Sequence, residues 1–253
     1  MFKTDGSVDR EGKLNEISLK TKLESEAKNL FKDLNPSTIT VELRGGTKNK
    51  EDLIVTDGVE VKKISAKLKK KLSSGSFDYV NSSSAIAETK GLAEVKNLVK
   101  AVKSENSSVN VARQKLNSIF HSKMLSLTTQ ELSSLLIKHV VRPNEDKFII
   151  ITDGSSNKNY MYNFIDSPTY HHCLNSIPTI VFGKSSKTSA KLIFNTTDGE
   201  KIDIGLRIRL VLNNGVTALL GKSESNSNST PVIKIQQDAP HKLIESIKNT
   251  TIF

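Results

Sequence analysis

The 253-residue chain has one cysteine, Cys173, no tryptophan, and only 5% aromatic residues. A single cysteine excludes a disulfide framework within the chain, which favours a reducing compartment. Few aromatics argue against a single-strand-binding protein that stacks many bases on its rings. No apolar run approaches the roughly 18 residues of a membrane span, and the N-terminus lacks the apolar core of a secretion signal. We therefore predict a cytoplasmic protein without a membrane partner.

Several cofactor and catalytic motifs are also missing. The segment His171-His172-Cys173 has no second Cys/His pair at zinc spacing, and adjacent side chains on a strand point opposite ways. No Gly-x-Ser-x-Gly segment supports a hydrolase triad. Gly183-Lys184-Ser185 lacks the upstream glycine of a P-loop. The sequence thus argues against a zinc site, a serine hydrolase and a nucleotide-binding loop.

Basic residues are what the chain has in excess. Lys and Arg number 37 against 27 Asp and Glu, which gives a formal net charge of +10. Such a surplus favours a polyanionic partner through counterion release, and nucleic acid is the commonest one. The plainer interpretation is a protein whose lysines are simply solvated.

Apolar periodicity predicts an N-terminal helix followed by strands. Residues 9–34 carry a helical apolar stripe with Asp9 as the N-cap, and residues 38–44 alternate as a strand. A β-hairpin over 52–69 follows, and residues 69–84, rich in Lys, Ser and Gly, are predicted as a loop. This order predicts an α/β or α+β core in which a helix covers one face of a sheet.

The rest of the chain divides into a helical part and a β-rich part. Helices are predicted over residues 85–103, 109–120, 128–140 and, at the C-terminus, 241–248. Strands and hairpins are predicted over residues 148–152, 191–196, 200–212, 216–220 and 232–235. We divide the chain into a catalytic core at 1–84, a helical region at 85–143, and a β-rich region at 144–253 that completes the same domain.

The hairpin over 52–69 is the segment that best indicates chemistry. Its turn dipeptide Asp57-Gly58 separates two β-rich runs and predicts a two-residue type I′ turn. That turn would set Thr56 opposite Val59, and therefore Asp52 opposite Lys63.

Alternation along the strands decides which side chains can act together. Lys63, Ser65 and Lys67 are predicted to share a face with Asp52, whereas the alternative motif Glu60-Val61-Lys62 points the other way unless a bulge reverses it. A carboxylate and a lysine on adjacent strands can bind a divalent metal and steady a phosphate. The pattern predicts a metal-dependent nuclease, and the plainer alternative is an amphipathic hairpin with solvated lysines.

Asp52 followed by Ser65-Ala66-Lys67 resembles the PD-(D/E)xK signature of restriction-endonuclease-like nucleases. The resemblance implies a mixed central sheet flanked by helices, with an added helical middle and a C-terminal β-hairpin region. It also implies that Asp52 is a metal ligand and that Lys67 is the catalytic lysine. Ser65 stands where Asp or Glu is usual, which removes one metal ligand; it is expected to hydrogen-bond a metal-bound water.

Two further segments are similar to members of that superfamily. Gly12-Lys13-Leu14-Asn15-Glu16 resembles a Gly-x-x-Asn-Glu helix whose glutamate reaches the metal site, which implies Glu16 as the second carboxylate ligand. The segments 204–215 and 232–235 resemble the closing β-hairpin of small type II restriction enzymes. The three pieces occur in the order that the family shows.

The resemblance implies a Mg²⁺-dependent DNA endonuclease, with Mn²⁺ as a substitute metal, that leaves 5′-phosphates. Cleavage of both strands of a duplex favours a homodimer, since one site cuts one strand. Similar motifs in restriction enzymes and phage proteins place the chain in the cytoplasm of a bacterium or a phage-infected host. The alternatives are a catalytically inactive DNA-binding module of the same fold, which Ser65 favours, and a phage structural protein that touches packaged DNA.

Two groups of cations are predicted to contact the DNA. Alternation along residues 202–212 places Arg207 and Arg209 opposite the apolar face, where they can reach phosphates or guanine edges. Lys69 and Lys70, with Lys63 on the same hairpin, lie beside the proposed site and can hold the backbone. The plainer interpretation is that both groups are solvated cations that do not contact DNA.

Overall fold

The computed structural model describes residues 7–44, 51–143, 145, 147–184, 188–222 and 228–253, with side chains from residue 10 onward. Over these residues the fold is mixed α+β, with two β-sheets and eight α-helices, as the sequence predicted at the level of fold class. No helix within the described ranges is long and apolar enough to cross a membrane.

Helices and strands are distributed along the whole described chain. The α-helices are α1 (Ser7–Leu30), α2 (Ser84–Glu88), α3 (Val95–Ser104), α4 (Val109–Leu125), α5 (Thr129–Leu136), α6 (Pro168–Asn175), α7 (Gly215–Leu219) and α8 (Pro240–Ser246). The strands are β1 (Thr40–Leu43), β2 (Leu53–Thr56), β3 (Val61–Lys69), β4 (Ser76–Ser82), β5 (Lys147–Asp153), β6 (Lys158–Asn163), β7 (Ile177–Phe182), β8 (Ser189–Asn195), β9 (Lys201–Ile202), β10 (Leu206–Leu212), β11 (Pro231–Asp238) and β12 (Thr251–Ile252). A π-helical turn, Ile137–Val141, follows α5.

The chain divides into two compact units, each with its own sheet. Unit 1 comprises Met1–Gly75, Asn144–Pro168 and Ala239–Phe253. Unit 2 comprises Ser76–Pro143 and Thr169–Asp238. Segments that are distant in sequence are therefore neighbours within each unit.

Unit 1 contains a mixed sheet with the strand order β1-β2-β3-β5-β6-β12. The pair β3 and β5 is parallel, and the other pairs in this sheet are antiparallel. A parallel pair needs a long crossover, and the chain between β3 and β5 supplies it. The strand that carries the proposed lysine is therefore interior to its sheet.

The core of unit 1 forms between α1 and one sheet face. Buried α1 side chains recur at helical spacing, namely Leu19, Leu23 and Ala27, and Phe31 follows the helix. They pack in one cluster with buried strand residues Val41, Leu53, Val55, Ile64, Ile150 and Met161. The buried stripe begins later than predicted, because Leu14 and Ile17 are 60% and 51% exposed.

Unit 2 is built on an antiparallel sheet with the order β4-β11-β10-β8-β7, and β9 pairs with β8. Helices α2 and α3 contact β11, and α4 contacts β10. The side chains of Leu206, Ile208 and Leu210 are fully buried. Alternation places Arg207 and Arg209 on the other face of β10, as the sequence predicted.

Two secondary-structure predictions are wrong. Residues 69–84 contain strand β4 rather than a continuous loop, because pairing with β11 and burial of Phe77 and Val80 outweigh the weak local propensity. Residues 216–219 lie in helix α7 rather than in the predicted hairpin strand, because β11 and not this segment pairs with β10. Gly215 opens that helix with a φ of +78°, which a glycine adopts at little cost.

Two further local predictions need correction. Helix α1 begins at Ser7, so Asp9 lies inside the helix rather than at its N-cap. The segment His171-His172-Cys173 lies on α6, not on a strand. Burial raises the pKa of the Cys173 thiol to about 12, as expected for an inert buried cysteine.

Candidate active site

The turn between β2 and β3 is wider than the predicted two-residue type I′ turn. Thr56 pairs with Val61 instead of Val59, which leaves four residues, Asp57–Glu60, in the turn. The Asp57 carboxylate accepts hydrogen bonds of 2.8–2.9 Å from the backbone N–H groups of Asn35, Val59 and Glu60. These three hydrogen bonds lower the pKa of Asp57 to about 2, and the bond from Asn35 has the largest effect. The carboxylate therefore stabilises a turn that the Asp-Gly signal alone does not reveal.

The wider turn shifts the strand register by two residues. Leu53 pairs with Ile64, so Asp52 lies opposite Ser65 rather than opposite Lys63. A shift by an even number keeps every side chain on its predicted face. Ser65 and Lys67 therefore still share a face with Asp52.

The alternative motif Glu60-Val61-Lys62 has a structural role instead. Lys62 and Ile64 point to the same face of β3, which packs against α1, and Lys62 is only 6% exposed there. Its Nζ is 2.5 Å from Oδ2 of Asp33, an ion pair that compensates its charge. Glu60 is exposed in the turn, so these residues do not form a site with Asp52.

Asp52 is held from its backbone and from one carboxylate oxygen. Its N–H donates to the carbonyl oxygen of Ile64 at 2.9 Å. Its Oδ2 accepts the N–H of Ala66 at 2.7 Å and the hydroxyl of Ser65 at 3.3 Å. Among the described residues, Oδ1 accepts no hydrogen bond. One oxygen of this carboxylate is therefore fixed by β3, and the other is available to a cation.

Ser65 makes a contact that the sequence did not predict. Its hydroxyl donates to Asp52, and its expected bond to a metal-bound water stays a prediction. Ser65 is only 8% exposed, so its hydroxyl has little contact with solvent. The residue that stands in place of a carboxylate thus orients the remaining carboxylate.

Glu16 on α1 is electrostatically coupled to both proposed partners on the strands. Its side chain is half-buried, and desolvation raises its pKa above the ordinary value. The charge of Asp52 raises the pKa further, whereas Lys13 and Lys67 lower it. Glu16 is therefore within electrostatic range of Asp52 and Lys67, and the convergence of the three side chains on one metal site stays a prediction.

Lys13 is a neighbour of the site that the sequence reasoning did not select. It precedes Glu16 by three residues on α1, and its charge lowers the pKa of Glu16 more than Lys67 does. Residues three apart on a helix are adjacent, so helical spacing could have identified it. The hydrogen bond from the Ala66 N–H to Asp52 was also not predicted, because a pattern of side chains does not reveal which backbone groups donate.

The donor set fits a magnesium ion. Mg²⁺ takes one or two protein carboxylates and keeps several waters, and Asp52 and Glu16 supply two. In the described ranges, no group of three or more His, Cys, Asp and Glu side chains is placed to enclose a metal. Two carboxylates would leave most of the shell of such an ion to water and a substrate phosphate.

The predicted DNA-contacting cations differ in how strongly they are already paired. Arg207 donates to Asp238 Oδ2 at 2.6 Å, and Lys63 Nζ lies 3.5 Å from Glu145 Oε1. Lys70 is exposed, and no ion pair to Lys70 or Arg209 occurs among the described residues. Lys69 is half-buried, and its Nζ packs close to Gly75, where an added Cβ would be only 3.1 Å from it. Lys70 and Arg209 thus carry charges that no described acid pairs with, and their contact with DNA stays a prediction.

Unit 2 contains a separate cleft of about 330 Å³ beside the π-helical turn. His139 Nε2 and Lys138 Nζ lie 2.9 and 3.0 Å from Oε2 of Glu88. The side chain of His139 is 7% exposed, and Glu131 caps α5 through Thr128. The acids of this cleft are occupied by internal bonds, which indicates a structural role.

No family model, curated protein or solved structure matches the chain. The similarity of the hairpin and of the Glu16 segment to restriction-endonuclease-like nucleases stays an expectation from their residues. Assignment of a function depends on the geometry around Asp52.

Proposed function

We propose that the protein is a Mg²⁺-dependent DNA endonuclease of the restriction-endonuclease-like type. The supporting observation is that β3 fixes Asp52 through Ser65 and the Ala66 N–H and carries Lys67 on the same face, while the charges of Asp52 and Lys67 both act on the Glu16 carboxyl. Carboxylates that perturb one another are typical of functional sites, and metal-dependent phosphodiester hydrolysis uses such groups. The mixed sheet with α1 on one face agrees with the fold class that the motif implies.

The chain's own groups divide the chemistry among them. Asp52, through Oδ1, and Glu16 would hold the ion, which supplies charge neutralisation at the phosphate and a more acidic water. Ser65 and the Ala66 N–H keep Asp52 in position. Lys67 orients the attacking water and stabilises the negative charge that develops on the phosphate. Water adds to phosphorus as the bond to the 3′-oxygen breaks, which leaves a 3′-hydroxyl and a 5′-phosphate.

The substrate proposed is duplex DNA. The net charge of +10 favours a polyanion, and Arg209 and Lys70 are available to its phosphates. Cutting both strands calls for two sites, which a homodimer supplies.

A plasmid-nicking assay with Mg²⁺ tests the proposal. Asp52→Ala and Lys67→Ala should each lower the nicking rate at least about 100-fold, and Glu16→Gln should lower it nearly as much. Glu11→Gln, an exposed change on the same helix, is the matched control and should leave the rate unchanged. Absence of cleavage by the wild-type protein with Mg²⁺ or Mn²⁺ would contradict the proposal.

Ser65 favours one alternative, a nuclease-fold module that binds DNA without cutting it, because this position provides no third carboxylate. That alternative predicts salt-sensitive DNA binding with no cleavage in any divalent metal. A phage structural protein instead predicts large assemblies by light scattering. The nicking assay separates both from the enzyme.

A further inference from the structure

Helix α3 presents a line of lysines to solvent. Its orientation is fixed because it contacts β11 and α4 and buries three valines, Val95, Val99 and Val102. Three lysines lie on its exposed side, Lys96, Lys100 and Lys103. At 100° and 1.5 Å per residue, they fall within an arc of about 60° and along a line of about 10 Å. These three residues are named the lysine stripe.

The lysine stripe is not neutralised by its surroundings. Helix α3 contains no acidic residue. The acids that flank it are bound by α4, since Glu94 pairs with Lys123 and Glu105 pairs with Lys115. No ion pair to the lysine stripe occurs among the described residues. The acids beside α3 thus neutralise Lys115 and Lys123 of α4 and do not neutralise the lysine stripe.

We propose that the lysine stripe binds the phosphate backbone of duplex DNA. This choice of partner rests on the proposed function. One DNA strand carries a phosphate per about 3.4 Å of helix axis, so a line of about 10 Å spans about three phosphates. Lysine is a compact point charge that contacts phosphates without reading bases. The contact therefore supplies affinity that does not depend on DNA sequence.

Fluorescence anisotropy with a labelled duplex, in EDTA and over a range of salt concentrations, tests the inference. The stripe variant is Lys96→Gln/Lys100→Gln/Lys103→Gln. The charge-matched control is Lys184→Gln/Lys201→Gln/Lys222→Gln, three exposed lysines elsewhere in unit 2. The stripe variant should weaken binding about tenfold or more and reduce the salt slope by about 2.7, or about 0.9 per lost contact. The control should change both quantities much less.

Three results would overturn the inference. The stripe variant could match the control, the wild-type protein could fail to bind the duplex, or the stripe variant could lose binding to anionic phospholipid vesicles but not to DNA. Circular dichroism melting confirms that each variant is folded. Because EDTA removes the metal, binding is read separately from cleavage. If the protein nicks DNA but the stripe variant binds like the control, the inference fails and the proposed function stands. If binding depends on the lysine stripe but no nicking occurs, the proposed function fails and the stripe's role in binding stands.

Discussion

The two sheets of the protein arrange their charged side chains differently. On the sheet of unit 2, Arg207 pairs with Asp238 at 2.6 Å and Lys191 pairs with Asp203 at 2.7 Å. In unit 1, the charges of Asp52 and Lys67 both act on the Glu16 carboxyl, and no ion pair occurs among these three described residues. Such pairing is typical of a solvated structural surface, whereas an unpaired cluster of mixed charge is typical of a functional site.

The largest effect expected from this difference is on catalysis. Asp52→Asn removes a proposed metal ligand and should lower Mg²⁺-dependent nicking at least about 100-fold. Asp203→Asn breaks a surface ion pair in unit 2 and should change the rate less than about threefold. Initial rates at saturating Mg²⁺ measure both. Equal losses in the two variants would remove the distinction between the sheets.

The core that carries the site should be sensitive to truncation. Ile64, on β3, is fully buried against α1, so Ile64→Ala should lower the free energy of unfolding by about 2–5 kcal/mol. Val61, on the same strand, is 44% exposed, and Val61→Ala is the matched control. Urea unfolding gives both values. A cost for Ile64→Ala no larger than that for Val61→Ala would contradict the packing described.

The hydrogen bond from Ser65 should have a moderate effect on metal binding. Loss of one net hydrogen bond, about 1 kcal/mol, predicts roughly fivefold weaker Mg²⁺ binding by Ser65→Ala, measured by calorimetry. Ser65→Thr keeps the hydroxyl and should recover most of the affinity. Ser74→Ala removes an exposed hydroxyl that bonds only Lys71 and should have no effect. Unchanged affinity in Ser65→Ala would show that Asp52 does not depend on this bond.

The turn that sets the register should respond to pH. The pKa of Asp57 is about 2 in the folded protein against an ordinary 3.8, so its stabilisation is complete above pH 3.8 and is lost as the pH falls towards 2. The stability gap between wild type and Asp57→Asn, measured by urea unfolding, should therefore narrow from pH 5 to pH 2.5. Asp166→Asn, at an exposed aspartate, is the control. A gap that stays constant or widens would contradict the role given to Asp57.

How much the sequence predicts depends on how local the interactions are. The α1 helix, strand β2 and the alternation of β3 follow from periodicity, and parity alone put Ser65 and Lys67 on the face of Asp52. The turn length did not follow, because it depends on a bond from Asn35, which is distant in sequence. Strand β4 did not follow either, since its partner β11 lies far along the chain.

The sequence selects the members of the proposed site but not the hydrogen bonds around Asp52. Glu16, Asp52 and Lys67 could be selected because their residue types and order suit metal-dependent hydrolysis. The bonds from Ser65 and Ala66 to Asp52 could not, because they depend on a register that the turn signal misplaced by two residues.

NMR titration of the Glu16 carboxyl tests, without any assay of activity, whether Glu16, Asp52 and Lys67 share one electrostatic site. The wild-type pKa of Glu16 should be raised above its ordinary value by desolvation and then by Asp52. It should fall in Asp52→Asn and rise in Lys67→Gln, because each substitution removes one of those charges. A Glu16 pKa that neither substitution moves would contradict the account.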